Sequence, residues 1–241
     1  MSELTPGKPI PNIWTIMQRW ILALPISTTT QIERRDQLQR ELHWLVNQLG
    51  DTPGIGGATP FVFAHCDLLS GNVIIEPTPS SASASRRSSA SDGSDEDETA
   101  ASVSFIDYEY ATPAPASFDI ANHFAEWGGF DCDYNVLPTR HVRRSFLREY
   151  LHSFSAHANN TYKESDLDDL FAQVDHFRGV PGFYWGIWAL IQAQISLIEF
   201  DYAGYAEIRL GEYFAWKREE NGVREKESGE VPLRERIWAE E

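Results

Sequence analysis

The run His65-Cys66-Asp67-Leu68-Leu69-Ser70-Gly71-Asn72 sets a histidine two residues before an aspartate, and an asparagine five after it. That spacing suits phosphoryl transfer. There an aspartate accepts the proton of an attacking hydroxyl, and an asparagine at this remove turns back to hold a metal ion on the nucleotide phosphates. The plainer reading is a polar turn in which Asp67 and Asn72 satisfy backbone groups. A second motif is Phe105-Ile106-Asp107-Tyr108-Glu109-Tyr110. Asp107 closes an apolar run, where the second metal-binding carboxylate of a kinase-type site belongs. A carboxylate there chelates Mg²⁺ bridging the phosphates; otherwise it is a solvated strand end. Base, metal asparagine and metal aspartate follow one another in the right order, which favours the phosphoryl-transfer reading of both motifs.

Two further clusters are aromatic. Trp185 and Trp188 stand three residues apart and share a helix face. Tyr184, Tyr202 and Tyr205 lie close by, and Glu126 sits in the segment Phe118 to Trp127. A stripe at helical spacing is more often core than ligand box. Aromatic faces with a nearby carboxylate nevertheless suit an organic ammonium ion. His123, alone in an apolar helical pattern, reads as structural.

Several elements must position these groups. A helix starts after Pro11-Asn12 and stops before Pro25, and a capping box is predicted at Thr30 to Glu33. Behind it Leu38, Leu42, Leu45, Val46 and Leu49 share one face, ahead of Gly50. Strands are predicted at Phe61–Ala64, Asn72–Ile75 and Val103–Tyr108. Between the last two, residues 78–102 form a Ser-rich, acidic stretch without aromatics, predicted to be a disordered insertion in a hairpin. It reads as a passive loop; phosphorylation at Ser88, Ser89, Ser91 or Ser94 is the alternative. Helices are expected at Phe118–Trp127, Arg140–Phe154, from Ser165, at Phe183–Phe200 and at Tyr205–Lys217. Gly179, Pro181 and Gly182 are expected to break the chain before Phe183. Residues 1–217 thus form one lobe, and 218–241 a charged flexible tail.

Composition bounds the function. Twenty Lys+Arg against 36 Asp+Glu leave a net charge of −16, so no basic face awaits nucleic acid. Two cysteines rule out a disulfide scaffold and suggest a reducing, cytoplasmic setting. The most apolar stretch, Tyr184 to Phe200, contains Gln192, Gln194 and Glu199 and is too short and polar to span a membrane.

The stretches FVFAHCDLLSGNVII, VSFIDYEYATPAPASFDIANHFAEWGG and FYWGIWALIQAQISLIEFDYAGYAEIRLGEYF resemble the choline/ethanolamine kinase family, in family order. The opening KPIPNIWTIMQRWILALP is similar to the start of that family's C-terminal lobe. The resemblance implies an α+β fold: a mainly helical C-terminal lobe of a protein-kinase-like fold with a small β-hairpin catalytic region. It implies transfer of the γ-phosphoryl of ATP, with Mg²⁺, to the hydroxyl of a small amine. By motif, Asp67 would activate that hydroxyl and His65 would support the loop. Asn72, Asp107 and Glu109 would bind Mg²⁺. Tyr110, Glu126, Trp185, Trp188, Tyr202 and Tyr205 would line the amine pocket, with Asp119 and Asn122 as braces. The run from Trp185 to Ala206 looks closer to ethanolamine than to choline kinases.

The family's N-terminal lobe covers ATP with a loop and a lysine. Before residue 61 no such strands appear, and Lys8 is the only lysine ahead of Lys163. The expectation is therefore a C-terminal lobe with the ATP lobe absent, either a truncated ethanolamine kinase or a non-catalytic binding module. Its remaining partner would be that missing lobe or a second copy in a homo-oligomer. An antibiotic phosphotransferase shares the base loop but not the aromatic segments.

Overall fold

The computed structural model describes residues 4–76, 102–158 and 161–241. The predicted insertion lies outside the described residues, save Ser102 at its end.

Helix α1 (Ile13–Ala23) starts at Asn12, whose side chain accepts from the N–H groups of Trp14 and Thr15. It buries Ile13, Trp14, Met17 and Ile21 on one face. Helix α2 (Thr29–Leu49) begins earlier than predicted. Thr28 and Gln31 make the reciprocal capping bonds, Gln31 N–H to Thr28 Oγ1 at 3.2 Å and Thr28 N–H to Gln31 Oε1 at 3.1 Å.

Four short strands carry the motifs. β1 (Val62–Ala64) pairs antiparallel with β4 (Thr112–Ala114), Ala64 opposite Thr112. β2 (Val73–Ile75) pairs antiparallel with β3 (Val103–Phe105), Val73 opposite Phe105. The segment 65–72 runs from β1 to β2, and 106–111 from β3 to β4. Because both of their ends are paired, the two segments lie side by side. β4 is a strand absent from the sequence-based expectation.

The helical body follows: α3 (Ala116–Glu126), α4 (Arg140–His157), α5 (Glu164–Phe177), α6 (Val180–Ile195) and α7 (Tyr202–Glu220). α6 starts at Val180 and keeps Pro181 and Gly182 inside it, where a break was expected. Pro181 occupies the first turn, where its missing N–H costs nothing. α6 and α7 approach closely through Gly182 and Gly186: a Cβ would lie 2.5 Å from Arg209 O at the first and 2.6 Å from Leu210 Cγ at the second.

Past residue 220 the chain is not a flexible tail. α8 (Val223–Lys226) and α9 (Leu233–Trp238) follow, and Arg234, Glu235 and Trp238 are buried. Trp238 Nε1 donates to Asp175 at 2.8 Å, and the Arg143 guanidinium lies 4.1 Å over its ring. Arg178 Nε donates to Glu235 at 2.8 Å. Arg234 and Glu235 thus pair with the body while most other charges of this segment stay exposed, and Trp238 supplies the buried apolar anchor.

Around the strands, Phe63, Ile75, Val103, Phe105, Ile106 and Tyr108 form an exposed apolar belt. Among the described residues no helix is long and apolar enough to cross a membrane. The anchoring of α9 is measurable: Trp238→Ala should cost about 3 kcal/mol or more of unfolding free energy in urea titration. A cost near zero would return the segment to the status of a tail.

Candidate active site

The loop after β1 is held by one face of α3. The Asp119 carboxylate accepts the backbone N–H of His65 at 3.0 Å and of Cys66 at 2.8 Å. Asn122 Nδ2 donates to Cys66 O at 3.1 Å, and His123 Nδ1 donates to Leu68 O at 2.7 Å. These residues sit at i, i+3 and i+4, so one helical stripe fixes four backbone groups. Burial pushes the Asp119 carboxyl up, and the two N–H bonds draw it back. Burial lowers His123, and Trp127 Nε1 donates to its other nitrogen at 3.3 Å. His123 is thus structural, as its sequence context suggested.

His65 ties this loop to the neighbouring one. Its Nε2 bonds Ile106 O at 2.9 Å, and since a carbonyl only accepts, the proton is on Nε2. Its ring packs 4.6 Å from that of Tyr108. Both loops contain a non-glycine residue in the left-handed region, Cys66 at φ 64° and Asp107 at φ 66°. Such residues carry about 1–3 kcal/mol of strain and persist only where surrounding bonds over-determine them.

Asp67 is buried, and Asn72 Nδ2 donates to its backbone oxygen at 2.8 Å and its Oδ2 at 3.2 Å. The Asn72 amide oxygen therefore points away from that carboxylate. Burial raises the Asp67 carboxyl to about 6; the nearby Asp107 and Glu109 add to this, and His65 and Asn72 oppose it. Asp107 and Glu109 are exposed. Among the described residues no three His, Cys, Asp or Glu side chains are grouped to hold a metal ion. The amide oxygen of Asn72 and the two carboxylates are nonetheless all hard oxygen donors, the kind Mg²⁺ takes.

A cavity of about 350 Å³ opens beside Asp67. Glu126, Tyr110, Trp185, Trp188 and Tyr205 line it, all expected from sequence. Trp185 Nε1 donates to Asn122 Oδ1 at 2.9 Å and Glu126 Oε1 at 3.1 Å; Trp188 Nε1 donates to Tyr110 Oη at 2.9 Å. The two indoles meet at right angles, ring centres 5.4 Å apart. Asn122 Nδ2 also donates to Glu126 Oε1, at 2.5 Å, while Glu126 Oε2 is buried without a partner. Burial, then the charge of Asp67, push the Glu126 carboxyl well up; Arg209, Asn122 and Trp185 oppose them.

Tyr202 is not part of the lining. It stands behind Trp188, ring centres 5.7 Å apart. His65, Asn72 and Asp107 also lie off this cavity, whereas Glu109 of the second loop lines it. Leu69, Ser70, Gly129, Phe130 and Arg209 line it without having been singled out. Arg209 follows Tyr205 by four residues, a spacing that places both on one helix face. Nothing in the sequence around Phe130 marked it.

The architecture is kinase-like, mainly helical with two small sheets. It superposes on an ethanolamine kinase of Plasmodium vivax with a TM-score of 0.63 at 24% identity, covering 86% of this chain and 50% of that one. A choline kinase of Cryptosporidium parvum gives 0.54 at 19% identity, covering 92% and 63%. Residues 3–214 match the family model described as choline/ethanolamine kinase, and the chain belongs to that family. Among curated relatives, mouse ethanolamine kinase 1 is 31% identical over 223 residues, covering 88% of this chain and 54% of its own length. The Drosophila melanogaster ethanolamine kinase is 34% identical over 228 residues, covering 90% and 39%. The chain spans about half the length of the curated relatives it matches.

A raised carboxyl has a defined effect on stability. Asp67 binds its proton more tightly folded than unfolded, so its ionisation costs stability as pH rises from about 4 through about 6. In Mg²⁺-free buffer, Asp67→Asn should therefore raise Tm by several degrees near pH 7.5, and by much less near pH 4. Equal shifts at both values would contradict this.

Proposed function

We propose that this chain carries the base and the amine site of an ethanolamine kinase. The observation that carries the reading is that Asp67 and the Glu126–Trp185–Trp188 cluster line the same cavity. Asp67 offers a carboxylate to a hydroxyl, and Glu126 with the two indoles offers an acceptor and aromatic faces to an ammonium. A two-carbon amino alcohol has these two groups at its two ends.

In this reading Asp67 Oδ accepts the hydroxyl proton as the substrate oxygen bonds to the γ-phosphorus of ATP. The bond from that phosphorus to the bridging oxygen breaks, and ADP leaves. His65, through its bond to Ile106 O, keeps the base loop aligned with the Asp107 turn. Asn72, Asp107 and Glu109 would hold Mg²⁺, which when bound offsets the charge of the phosphates. Burial of Asp67 makes it a stronger base than an exposed aspartate.

A primary ammonium has three N–H donors and a quaternary one has none. The unpartnered Glu126 Oε2 supplies an acceptor, which favours ethanolamine over choline. The names of the curated relatives point the same way. Phosphoethanolamine made here would feed phospholipid head-group synthesis in the cytoplasm. The exposed apolar belt around the strands is, in this reading, the seam that meets an ATP-covering lobe.

The chain assayed with Mg·ATP should phosphorylate ethanolamine about tenfold or more in preference to choline, and Asp67→Ala should cost about 10²–10⁴-fold in rate. A preference for choline would reverse the substrate assignment. Turnover that survives Asp67→Ala would remove Asp67 as the base.

A further inference from the structure

A guanidinium stands on the wall of a cavity that is to take an ammonium. Arg209 of α7 lines the cavity and is 3% exposed. Left bare, its charge would repel the ligand. Glu212, which is not part of the lining, follows one turn later on the same face of α7. Its Oε2 lies 3.1 Å from Arg209 Nη1, and both side chains are 3% exposed.

The same carboxylate oxygen faces a second guanidinium. Arg234 Nε of α9 lies 3.9 Å from Glu212 Oε2. Arg234 is itself held from three sides. Its Nη2 donates to Arg178 O at 2.7 Å, its Nη1 donates to Glu235 Oε1 at 3.2 Å, and its guanidinium sits 5.5 Å over the Trp238 ring. Glu235 Oε2 in turn accepts from Arg178 Nε at 2.8 Å. Arg209, Glu212, Arg234 and Glu235 thus alternate in sign, sum to zero, and are all buried. A buried ion pair adds little stability, because desolvation offsets its attraction, but losing one partner leaves the other charge uncompensated. Here the uncompensated charge would be the one on the cavity wall. Without α9, Glu212 would lose its second cation and its cover from water, and would be free to turn away from Arg209.

We propose that Glu212 and Arg234 are positioning residues for amine binding: Glu212 fixes and cancels the Arg209 charge at the cavity wall, and Arg234 of α9 holds Glu212 in that place. The inference rests on the amine reading of the cavity. It makes amine affinity depend on a helix beyond residue 214, where the family match ends. Such coupling is reciprocal. A docked α9 favours the bound amine, and a bound amine favours the docked α9 by the same factor.

The test uses the 241-residue chain without ATP, at a temperature where each variant is folded. Ethanolamine affinity is read from tryptophan fluorescence, since Trp185 and Trp188 line the cavity. Docking of α9 is read from amide hydrogen exchange at residues 233–238. Arg234→Met should weaken ethanolamine binding about tenfold or more, and Arg234→Lys should restore it. Glu212→Gln should weaken it at least as much, and adding Arg234→Met to Glu212→Gln should cost little more, because both act through one chain of contacts. In the wild type, saturating ethanolamine should slow α9 exchange about tenfold beyond any slowing shared by the whole chain. A purely structural α9 gives another pattern: Arg234→Met lowers Tm with affinity unchanged, and ethanolamine slows α9 no more than the rest. Either result overturns the inference. So does tighter binding by Arg234→Met, which would show plain repulsion by one more cation. Should the variants not fold, exchange in the wild type decides alone. Wild-type chain that does not bind ethanolamine would overturn the amine reading and this inference with it, whereas wild-type binding with any of the other failures overturns the inference alone.

Discussion

The acceptance of two consecutive backbone N–H groups by the Asp119 carboxylate is the contact on which the rest of the site depends. A loop that leaves a three-residue strand has little pairing of its own, and its buried backbone groups must find partners. Asp119 supplies charge-assisted bonds to His65 and Cys66, and Asn122 and His123 add Cys66 O and Leu68 O. The next turn of the same stripe is Glu126. Seven residues of helix rise about 10 Å, so α3 is a rigid ruler between the brace of the Asp67 loop and the carboxyl of the aromatic cavity.

The site is also a concentration of like charge. Asp67, Asp107, Glu109, Asp119 and Glu126 all surround the two loops, and desolvation raises three of them. The protein tolerates this, together with left-handed backbone at Cys66 and Asp107, because short strands pair both ends of both loops. Part of the stability supplied by the helical core is thus offset at the candidate site.

The legible parts of the sequence were local ones. The Asp67 loop and the acidic turn are read from spacing, the ends of α1 from Asn12 and Pro25, and the apolar face of α2 from period. The unreadable parts depended on distant partners. Thr112-Pro113-Ala114 is too short and proline-bearing to announce a strand, and becomes one by pairing with residues some fifty positions earlier. Pro181 looks like a breaker until its place in the first turn of α6 is known. The charges past residue 218 look solvated until Arg178 and Asp175 are seen to meet Glu235 and Trp238. Tyr202 shares the aromatic character of the cavity wall, and only packing puts it behind Trp188. Arg209 carries no sequence signal as a cavity residue, because only folding brings α7 against Glu126.

The β2–β3 pairing has a consequence for how this gene can vary. Ile75 lies opposite Val103, and Glu76 N–H bonds Ser102 O at 2.8 Å, so the register is closed before the connecting segment begins. The closure entropy of a flexible connection grows only logarithmically, about 0.6 kcal/mol for each doubling of length. The pairs that end at Glu76 and Ser102 therefore set the register whatever the length of chain that joins them. The same position is a natural port for a grafted epitope or reporter, one strand away from the acidic turn.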